Sequence, residues 1–263
     1  MTGGILPLSL AVSLPAAASI QGLTGLSFVV VLAAGYVQGF TGFGFAVVFT
    51  PLAVFFISDA QQVVLLSLFL GAVLSVGVLV ESHRGLRAGR TRMLLGGAVL
   101  GTPAGIAVLS LVSPHVLRII ITVSALLVAT LWLVRLPPPL ERENGAVWCG
   151  GLIGGFLNGS TSMGGPPPAL LASIQRWPVE ESRAALTTFN LVSYVLGLAT
   201  AAISGLLDTD FLLGGLRLLP IAIAGSLLGG WSARRVSKAV FRYALLGTVW
   251  LAGLFGLVSV LRG

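Results

Sequence analysis

Two glycine-rich stretches hold most of the polar residues that could bind a ligand within the apolar part of this chain. The first covers residues 35–45 (break 1) and the second covers residues 151–168 (break 2). Glycine destabilises a helix interior by about 1 kcal/mol relative to alanine, so a cluster of glycines indicates that the helix unwinds. In a membrane, unwound backbone is tolerated only where protein surrounds it or where it lines a watery cavity. We therefore predict that both breaks line a binding site.

The side chains in and after the breaks are neutral hydrogen-bonding groups. Each break is expected to resume as a helix, around Gly44 in break 1 and around Gly165 in break 2. Free N–H groups at a helix N-terminus carry partial positive charge, which favours an anion. Neutral hydroxyl and amide donors suit sulfate-like or sulfonate oxygens. The predicted substrate-binding residues are Gln38, Thr41, Gly42, Gly44, Asn158, Gly159, Ser160, Thr161, Ser162, Gly164, Gly165, Thr188 and Asn190.

The same residues leave two other interpretations open. Asn158, Ser160 and carbonyls freed by unwinding could ligate Na⁺ instead of an anion. The glycines of break 1 could instead serve close helix packing, as small residues do at helix interfaces in membranes. Packing is the expected role of two further glycine pairs, Gly101 with Gly105 and Gly225 with Gly229.

The residue types argue against an enzyme. Ser160 and Ser162 have no evident histidine or carboxylate partner, and the two histidines, His83 and His115, lie apart. The single Cys149 matches no metal or redox spacing. We therefore predict no catalytic residue, no metal site and no cofactor. Coupling to H⁺ or Na⁺ stays open, and the sequence contains no nucleotide-binding motif for direct drive by ATP.

The composition is that of a membrane protein. Of 263 residues, 56% are hydrophobic and 9% charged, with a mean hydropathy of +1.02, whereas soluble domains contain about 25% charged residues. Apolar runs of nineteen or twenty residues recur, long enough to cross the ~30 Å of bilayer hydrocarbon. The net charge of +7 comes from basic residues scattered through short loops, so nucleic acid is not an expected partner. No charged residue is expected inside a span.

The order of segments predicts an all-α, polytopic membrane protein built from two similar halves. An N-terminal apolar segment (1–25) precedes membrane repeat 1 (26–136), a linker rich in proline and charge (137–145) and membrane repeat 2 (146–263). Each repeat begins with an interrupted run and continues with three spans. The interrupted runs cover 26–57 and 146–175, and the spans cover 62–80, 93–111, 115–134, 184–203, 212–231 and 240–261.

The distribution of basic residues predicts how the two repeats are oriented. Residues 112–118 resemble residues 236–242, which supports a duplication. If each interrupted run enters and returns on one side, the repeats are inverted and twelve of the fifteen Lys and Arg residues lie on the cytoplasmic side. If each run crosses the membrane, the repeats are parallel and the basic residues show no bias. The positive-inside rule favours the first arrangement, so we predict two re-entrant helical hairpins that meet near the midplane.

At these breaks the sequence resembles the TauE/SafE family of sulfite and organosulfonate exporters. The similarity extends over nearly the whole chain after the N-terminal segment. Phe45 departs from the family, which often has another glycine there. The residues that carry the resemblance are Gly35, Gly39, Phe40, Gly42, Gly44 and Pro51 in repeat 1, and residues 155–167, Arg183, Ala184, Thr188, Phe189 and Asn190 in repeat 2.

The resemblance implies a multi-pass transporter of the cell inner membrane for small sulfur-containing anions such as sulfite, sulfoacetate or related organosulfonates. Together with the predicted central site, it indicates a secondary transporter that works by alternating access. The expected partners are a small anion and the lipid bilayer, and a homodimer stays open. A Na⁺- or proton-coupled cation exchanger and an anion channel remain the alternatives.

Overall fold

The computed structural model describes residues 25–131, 138–140 and 143–233. This part of the chain forms nine α-helices and one 3₁₀ turn, His83–Gly85, and contains no β-strand. The helices are α1 (Gly25–Thr41), α2 (Phe45–Ala53), α3 (Ala60–Ser82), α4 (Ala88–Leu111), α5 (Pro114–Leu131), α6 (Glu143–Thr161), α7 (Pro166–Ile174), α8 (Val179–Ile203) and α9 (Thr209–Ser232).

Both predicted interruptions are present. The first apolar run divides into α1 and α2, with Gly42, Phe43 and Gly44 between them. The second divides into α6 and α7, with residues 162–165 between them. Glycines explain the first gap because two of its three residues have the left-handed backbone that favours glycine. The segment before Gly25, part of the linker and the predicted span 240–261 lie outside the described residues.

Four helical segments are long and apolar enough to cross a bilayer. They are Ala60–Gly85, Ala88–Leu111, Val179–Ile203 and Phe211–Ser232. Two shorter apolar helices, Ser27–Thr41 and Pro114–Leu127, accompany them. With several such helices in one chain, the protein is a multi-pass helical membrane protein.

The expectation that spans contain no charged residue is wrong for α5, which contains Arg118, for α9, which contains Arg217, and for α8. Helix α8 begins at Val179, about one turn before the predicted span, and therefore includes Glu181 and Arg183. Ion pairs explain why the charges of α8 are tolerated. The Glu181 carboxylate lies 2.8 Å from Arg90 Nη1, and Arg183 Nη2 lies 3.4 Å from a Glu81 carboxylate oxygen. Burial of a charge is costly unless an opposite charge accompanies it.

Two helix pairs pack with their backbones in direct contact. α1 packs along α9, and α4 packs along α6. Glycines lie along both contacts, and a β-carbon placed on any of them would overlap backbone atoms of the facing helix. The predicted packing role of the Gly101/Gly105 and Gly225/Gly229 pairs is therefore confirmed. The glycines are Gly35 and Gly39 on α1, Gly225 and Gly229 on α9, Gly97, Gly101 and Gly105 on α4, and Gly151, Gly155 and Gly159 on α6.

The two packed pairs have similar contacts. Gly35 of α1 faces Ala222 of α9, in the same way that Gly155 of α6 faces Ala98 of α4. In both cases the first helix of one half packs against a later helix of the other half. The halves are therefore interlocked, and each break is held by helices from both of them.

Candidate functional site

Break 1 is closed by the side chain of Gln38. Its Oε1 accepts a hydrogen bond from Phe45 N at 3.0 Å, and its Nε2 donates to Ser75 Oγ on α3 at 3.0 Å. The first amide of α2 is thereby capped, and both ends of the buried Gln38 amide are paired. Thr41 Oγ1 donates to Val37 O at 2.8 Å within its own helix. In this conformation neither predicted side chain of break 1 has a polar group left over for a ligand.

Break 2 has a similar turn with one pairing missing. Asn158 Oδ1 accepts a hydrogen bond from Gly164 N at 3.3 Å, as Gln38 does across break 1. Thr161 Oγ1 donates to Leu157 O at 2.8 Å, which repeats the contact of Thr41. The amide nitrogen Nδ2 of Asn158, however, is buried without a hydrogen-bond partner among the described residues. The second break therefore keeps a free donor where the first has none.

Left-handed backbone occurs at corresponding places in the two turns. Gly42 has φ 86° and Gly44 has φ 109° in break 1, whereas break 2 has Ser162 at φ 62°. A left-handed residue other than glycine costs roughly 1–2 kcal/mol. Ser162 is fully buried, and its hydroxyl has no hydrogen-bond partner among the described residues. This position is strained and also presents an unpaired hydroxyl, and such strain is most often retained at functional sites.

Helix α8 connects the two breaks. Thr187 Oγ1 donates to Gly42 O at 2.9 Å, and Arg183 Nη2 donates to Gly39 O at 3.0 Å, so α8 satisfies two carbonyls at the end of α1. One turn further along α8, Asn190 adjoins break 2, since a β-carbon on Gly165 would lie 3.3 Å from Asn190 Nδ2. The same β-carbon would lie 3.0 Å from the ring of Phe43 in break 1. Phe43 of break 1 and Gly165 of break 2 therefore lie beside each other.

Three of the predicted side chains have buried polar atoms without a partner in the described structure. Asn190 is the most pronounced case, because it is fully buried and neither its Oδ1 nor its Nδ2 is hydrogen-bonded. Asn158 Nδ2 and Ser162 Oγ are the others. An unpaired buried polar group costs about 1–3 kcal/mol, so three of them beside one turn indicate a place for a ligand or water.

The remaining predicted hydroxyls are paired within their own helices. Ser160 Oγ donates to Phe156 O at 2.9 Å, and Thr188 Oγ1 donates to Ala184 O at 2.8 Å. Gly159 lies against α4, where its hydrogen atom permits the close approach of Thr102. These three residues shape the helices around the site without a free donor.

The N-terminus of α7 differs from the expected anion site of backbone N–H groups. It begins with Pro166, Pro167 and Pro168, and proline has no backbone N–H. Gly164 N, just before it, already donates to Asn158. A ligand at this end of α7 would depend on the amide and hydroxyl side chains around it, because few backbone donors are left.

Sequence reasoning missed that Arg183 lies beside break 1, and it left Thr187 out of the predicted set. The available signal was helical spacing, because positions 183, 187, 190 and 194 fall on one face of α8. Thr187, Asn190 and Tyr194 are buried, Tyr194 packs against Gly71 of α3, and Arg183 is partly exposed near the start of the helix. Among the described residues there is no group of three or more His, Cys, Asp or Glu side chains that could hold a metal ion.

These features define a class of protein: a polytopic helical membrane protein with a buried, uncharged polar site between two helix breaks. Residues 27–256 match the family model described as sulfite exporter TauE/SafE. Because this match covers most of the chain, the protein belongs to the TauE/SafE family, which is a family of membrane transporters and not of enzymes. No curated protein and no solved structure matches the chain.

Proposed function

We propose that the protein transports a small sulfur oxyanion, of the size of sulfite, and that Asn158, Ser162 and Asn190 bind it. The observation that carries this proposal is the set of unpaired polar atoms beside Gly164 and Gly165, where break 2, Phe43 of break 1 and α8 meet. Membership of a sulfite exporter family supports the choice of substrate. Sulfoacetate and related organosulfonates are further candidates because they carry a similar group of oxygens.

The chemistry of the three side chains suits an oxyanion. Two carboxamide groups and one hydroxyl can donate hydrogen bonds to several oxygens at once. None of them is charged, so the site does not hold a permanent cation that would bind the anion too tightly to release it. Transport requires binding strong enough to load the site and weak enough to empty it.

The repeats are proposed to be inverted, with both hairpins returning to the side from which they enter. In support, α1 and α9 run in the same direction, because Gly35 lies beside Ala222 and Gly39 beside Ser226. The short connection after α8 makes α9 antiparallel to it. α3 and α8 are antiparallel, because Glu81 at the end of α3 meets Arg183 near the start of α8.

It follows that α1 and α3 run in the same direction, so α2 between them returns toward the side where α1 begins.

The same argument applies to the second half. α4 and α6 run together, since Gly97 lies beside Trp148 and Gly105 beside Phe156. α3 and α4 are antiparallel, because Gln61 Nε2 donates to Leu109 O at 3.3 Å. α6 and α8 are therefore both antiparallel to α3, so α7 between them returns toward the side where α6 begins. Alternating access would then involve movement of one repeat against the other around the central site.

Replacement of Asn190 by leucine tests the site. In proteoliposomes containing Asn190→Leu protein, we expect radiolabelled sulfite uptake to fall at least tenfold, since lost hydrogen bonds to a charged ligand cost about 1.5–3 kcal/mol each. The thermal midpoint without substrate should stay the same or rise, because no hydrogen bond of the described protein is broken. Unchanged uptake would contradict the assignment of Asn190.

Two matched variants make this result specific. Thr200→Val lies on the same helix, and its hydroxyl bonds only Leu196 O, so we expect wild-type uptake. Gln38→Leu would leave Phe45 N and Ser75 without their partner, so we expect a lower thermal midpoint. If Asn190→Leu destabilises the protein as Gln38→Leu does, Asn190 is a structural residue.

One observation favours Na⁺ as a second ligand or as the transported ion. Asn190 Oδ1 is an unpaired acceptor, and an oxyanion without a proton cannot donate to it. A Na⁺ ion or a protonated anion would satisfy this atom. Currents measured with sulfite, with Na⁺ and with both separate these cases: a response to Na⁺ without any anion would replace the anion transporter with a cation exchanger.

A further inference from the structure

We propose that Arg183 captures the anion at one end of the site and releases Glu81 when it does so. This inference rests on the proposed transport of an oxyanion, and it adds a specificity-determining residue to the three neutral side chains. The guanidinium group would exchange its contact with the Glu81 carboxylate for the oxygens of the incoming anion. The anion would then pass along α8 to Asn190.

The hydrogen bonds of Arg183 leave part of the guanidinium group unused. Its Nη2 donates to Gly39 O at 3.0 Å and lies 3.4 Å from Glu81 Oε2. Its Nε is buried and has no partner among the described residues. The Arg183 side chain is 25% exposed and that of Glu81 is 52% exposed. One face of the cation is thus fixed to α1, while the remaining contact is long and open to solvent.

Arg90, in contrast, has a guanidinium group that is held by several short contacts. It lies 2.8 Å from both Glu143 and Glu181, and its guanidinium carbon lies 4.9 Å from the centre of the Trp177 ring. Trp177 Nε1 in turn donates to Glu143 at 2.8 Å. Arg90 joins α4, α6 and α8 with all of these contacts in place. By comparison, Arg183 has a weak ion pair that an anion could replace.

The position of Arg183 connects the protein surface with the site. Thr187 follows it by one turn and Asn190 by two, so the three residues lie on one face of α8. At 1.5 Å per residue, Arg183 and Asn190 are about 10 Å apart along the helix axis. Gly42 adjoins both Arg183 and Thr187, since a β-carbon there would lie 2.7 Å from Arg183 Cγ and 2.9 Å from Thr187 Oγ1.

The surroundings of Arg183 favour the approach of an anion. The turn at His83–Gly85 contacts α8 through Glu180, and it brings Arg84 and Arg87 to the same end of the molecule. Arg87 is strongly exposed, with 77% of its side chain accessible. A guanidinium group binds an oxyanion through two parallel hydrogen bonds, and Arg183 has Nε available for one of them.

The test is the half-saturation concentration for radiolabelled sulfite in proteoliposomes, measured for four variants and the wild type. Arg183→Gln should raise it at least tenfold and Arg183→Lys severalfold, because lysine retains the charge without the two parallel donors. Glu81→Gln should lower it severalfold, because the competing carboxylate is gone. Arg92→Gln, which changes an exposed arginine of α4 whose Nε donates to Ala88 O, should stay within about twofold of wild type.

The opposite effects of Arg183 and Glu81 distinguish capture from a purely structural role. If Arg183 only caps the end of α1, removal of either partner should reduce the maximal rate or the thermal midpoint and leave half-saturation unchanged, and the proposal is wrong. A rise in half-saturation with Glu81→Gln would also overturn it. Should Arg183→Gln fail to fold, Arg183→Lys and Glu81→Gln still decide the question. If wild-type protein does not transport sulfite, the proposed function fails, and this inference fails with it.

Discussion

At the scale of single residues, the two breaks differ in how completely their polar groups are paired. Gln38 uses both ends of its amide within the protein, whereas Asn158, its counterpart, uses only its oxygen. Asn190 uses neither end among the described residues. This asymmetry supports the proposal that the side chains of break 1 are structural and that break 2 and α8 bind the ligand. Substitutions in repeat 2 should therefore affect ligand binding more than substitutions in repeat 1.

Ser162→Gly separates stability from binding at one residue. Removal of the side chain relieves a left-handed backbone at φ 62°, and the larger entropy of an unfolded glycine offsets part of that gain. We expect the free energy of unfolding to stay the same or rise by up to about 1 kcal/mol. The half-saturation concentration for sulfite should rise, because a buried hydroxyl donor is lost.

Gly42→Ala is the control at the corresponding place in break 1. With φ 86° and Arg183 and Thr187 in the way of a β-carbon, it should lower the free energy of unfolding by more than about 1 kcal/mol. Thermal unfolding in detergent and sulfite uptake measure the two quantities separately. If Ser162→Gly leaves half-saturation unchanged, its hydroxyl does not contact the substrate.

At the scale of elements, glycines determine how close the helices come. The α1–α9 and α4–α6 pairs are in backbone contact, and each interface includes helices from both halves. Gly39, for which the sequence left open a role in the break or in packing, lies in the first of these interfaces against Ser226. Gly42 and Gly44 instead form the turn itself. Packing and unwinding are thus divided between neighbouring glycines of one motif.

Gly101→Ala should loosen the α4–α6 pair. A β-carbon there would overlap the carbonyl oxygen of Leu152, and such overpacking costs about 1–3 kcal/mol. Gly77 in α3 is a matched control, since a β-carbon there meets nothing within 4 Å. Gly77→Ala should be neutral or stabilise by up to about 1 kcal/mol. Thermal midpoints of the two purified variants measure this difference, and equal midpoints would contradict the role of Gly101 in packing.

At the scale of the whole molecule, the packing of the described helices supports a topology that charge counting also favours. The ion pairs of Arg90 and Arg183 join the end of α3 to the starts of α4, α6 and α8 at one end of the bundle. Arg118 donates to Ser58 O at 2.6 Å at the other end. The basic residues of the first end are those that the positive-inside rule assigns to the cytoplasm.

Single cysteines in a Cys149→Ala background test this topology. Gly89→Cys and Gly145→Cys lie in the first turns of α4 and α6, and a membrane-impermeant maleimide should reach both from the cytoplasmic side. Ser204→Cys follows α8 and should react from the opposite side. Parallel repeats would place Ser204 on the same side as Gly89, so labelling of both from one side would overturn the inverted arrangement. Gly145→Cys serves as the control, since both arrangements place it with Gly89.

The sequence by itself determined the class of protein and the positions of the two breaks. These depend on local properties. Apolar runs of sufficient length indicate membrane spans, and clusters of glycines destabilise a helix whatever the helix packs against. The residues of break 2 and Asn190 were chosen as candidate site residues from their polarity, because polar groups are rare in such a chain, and their role in binding stays a prediction. Helix starts were less accurate, as at α8, because ion pairs with distant residues allowed charged turns to join the helix.

Only the tertiary structure decided which polar groups are already paired. Gln38 donates a hydrogen bond to Ser75 on another helix, and Arg183 donates one to Gly39 in the other half of the chain. Such pairings depend on how the helices pack, which no local pattern of residues specifies. The same packing left Asn190 without a hydrogen-bond partner among the described residues, and it placed Arg183 beside the break. The distinction between structural and binding residues therefore comes from long-range contacts.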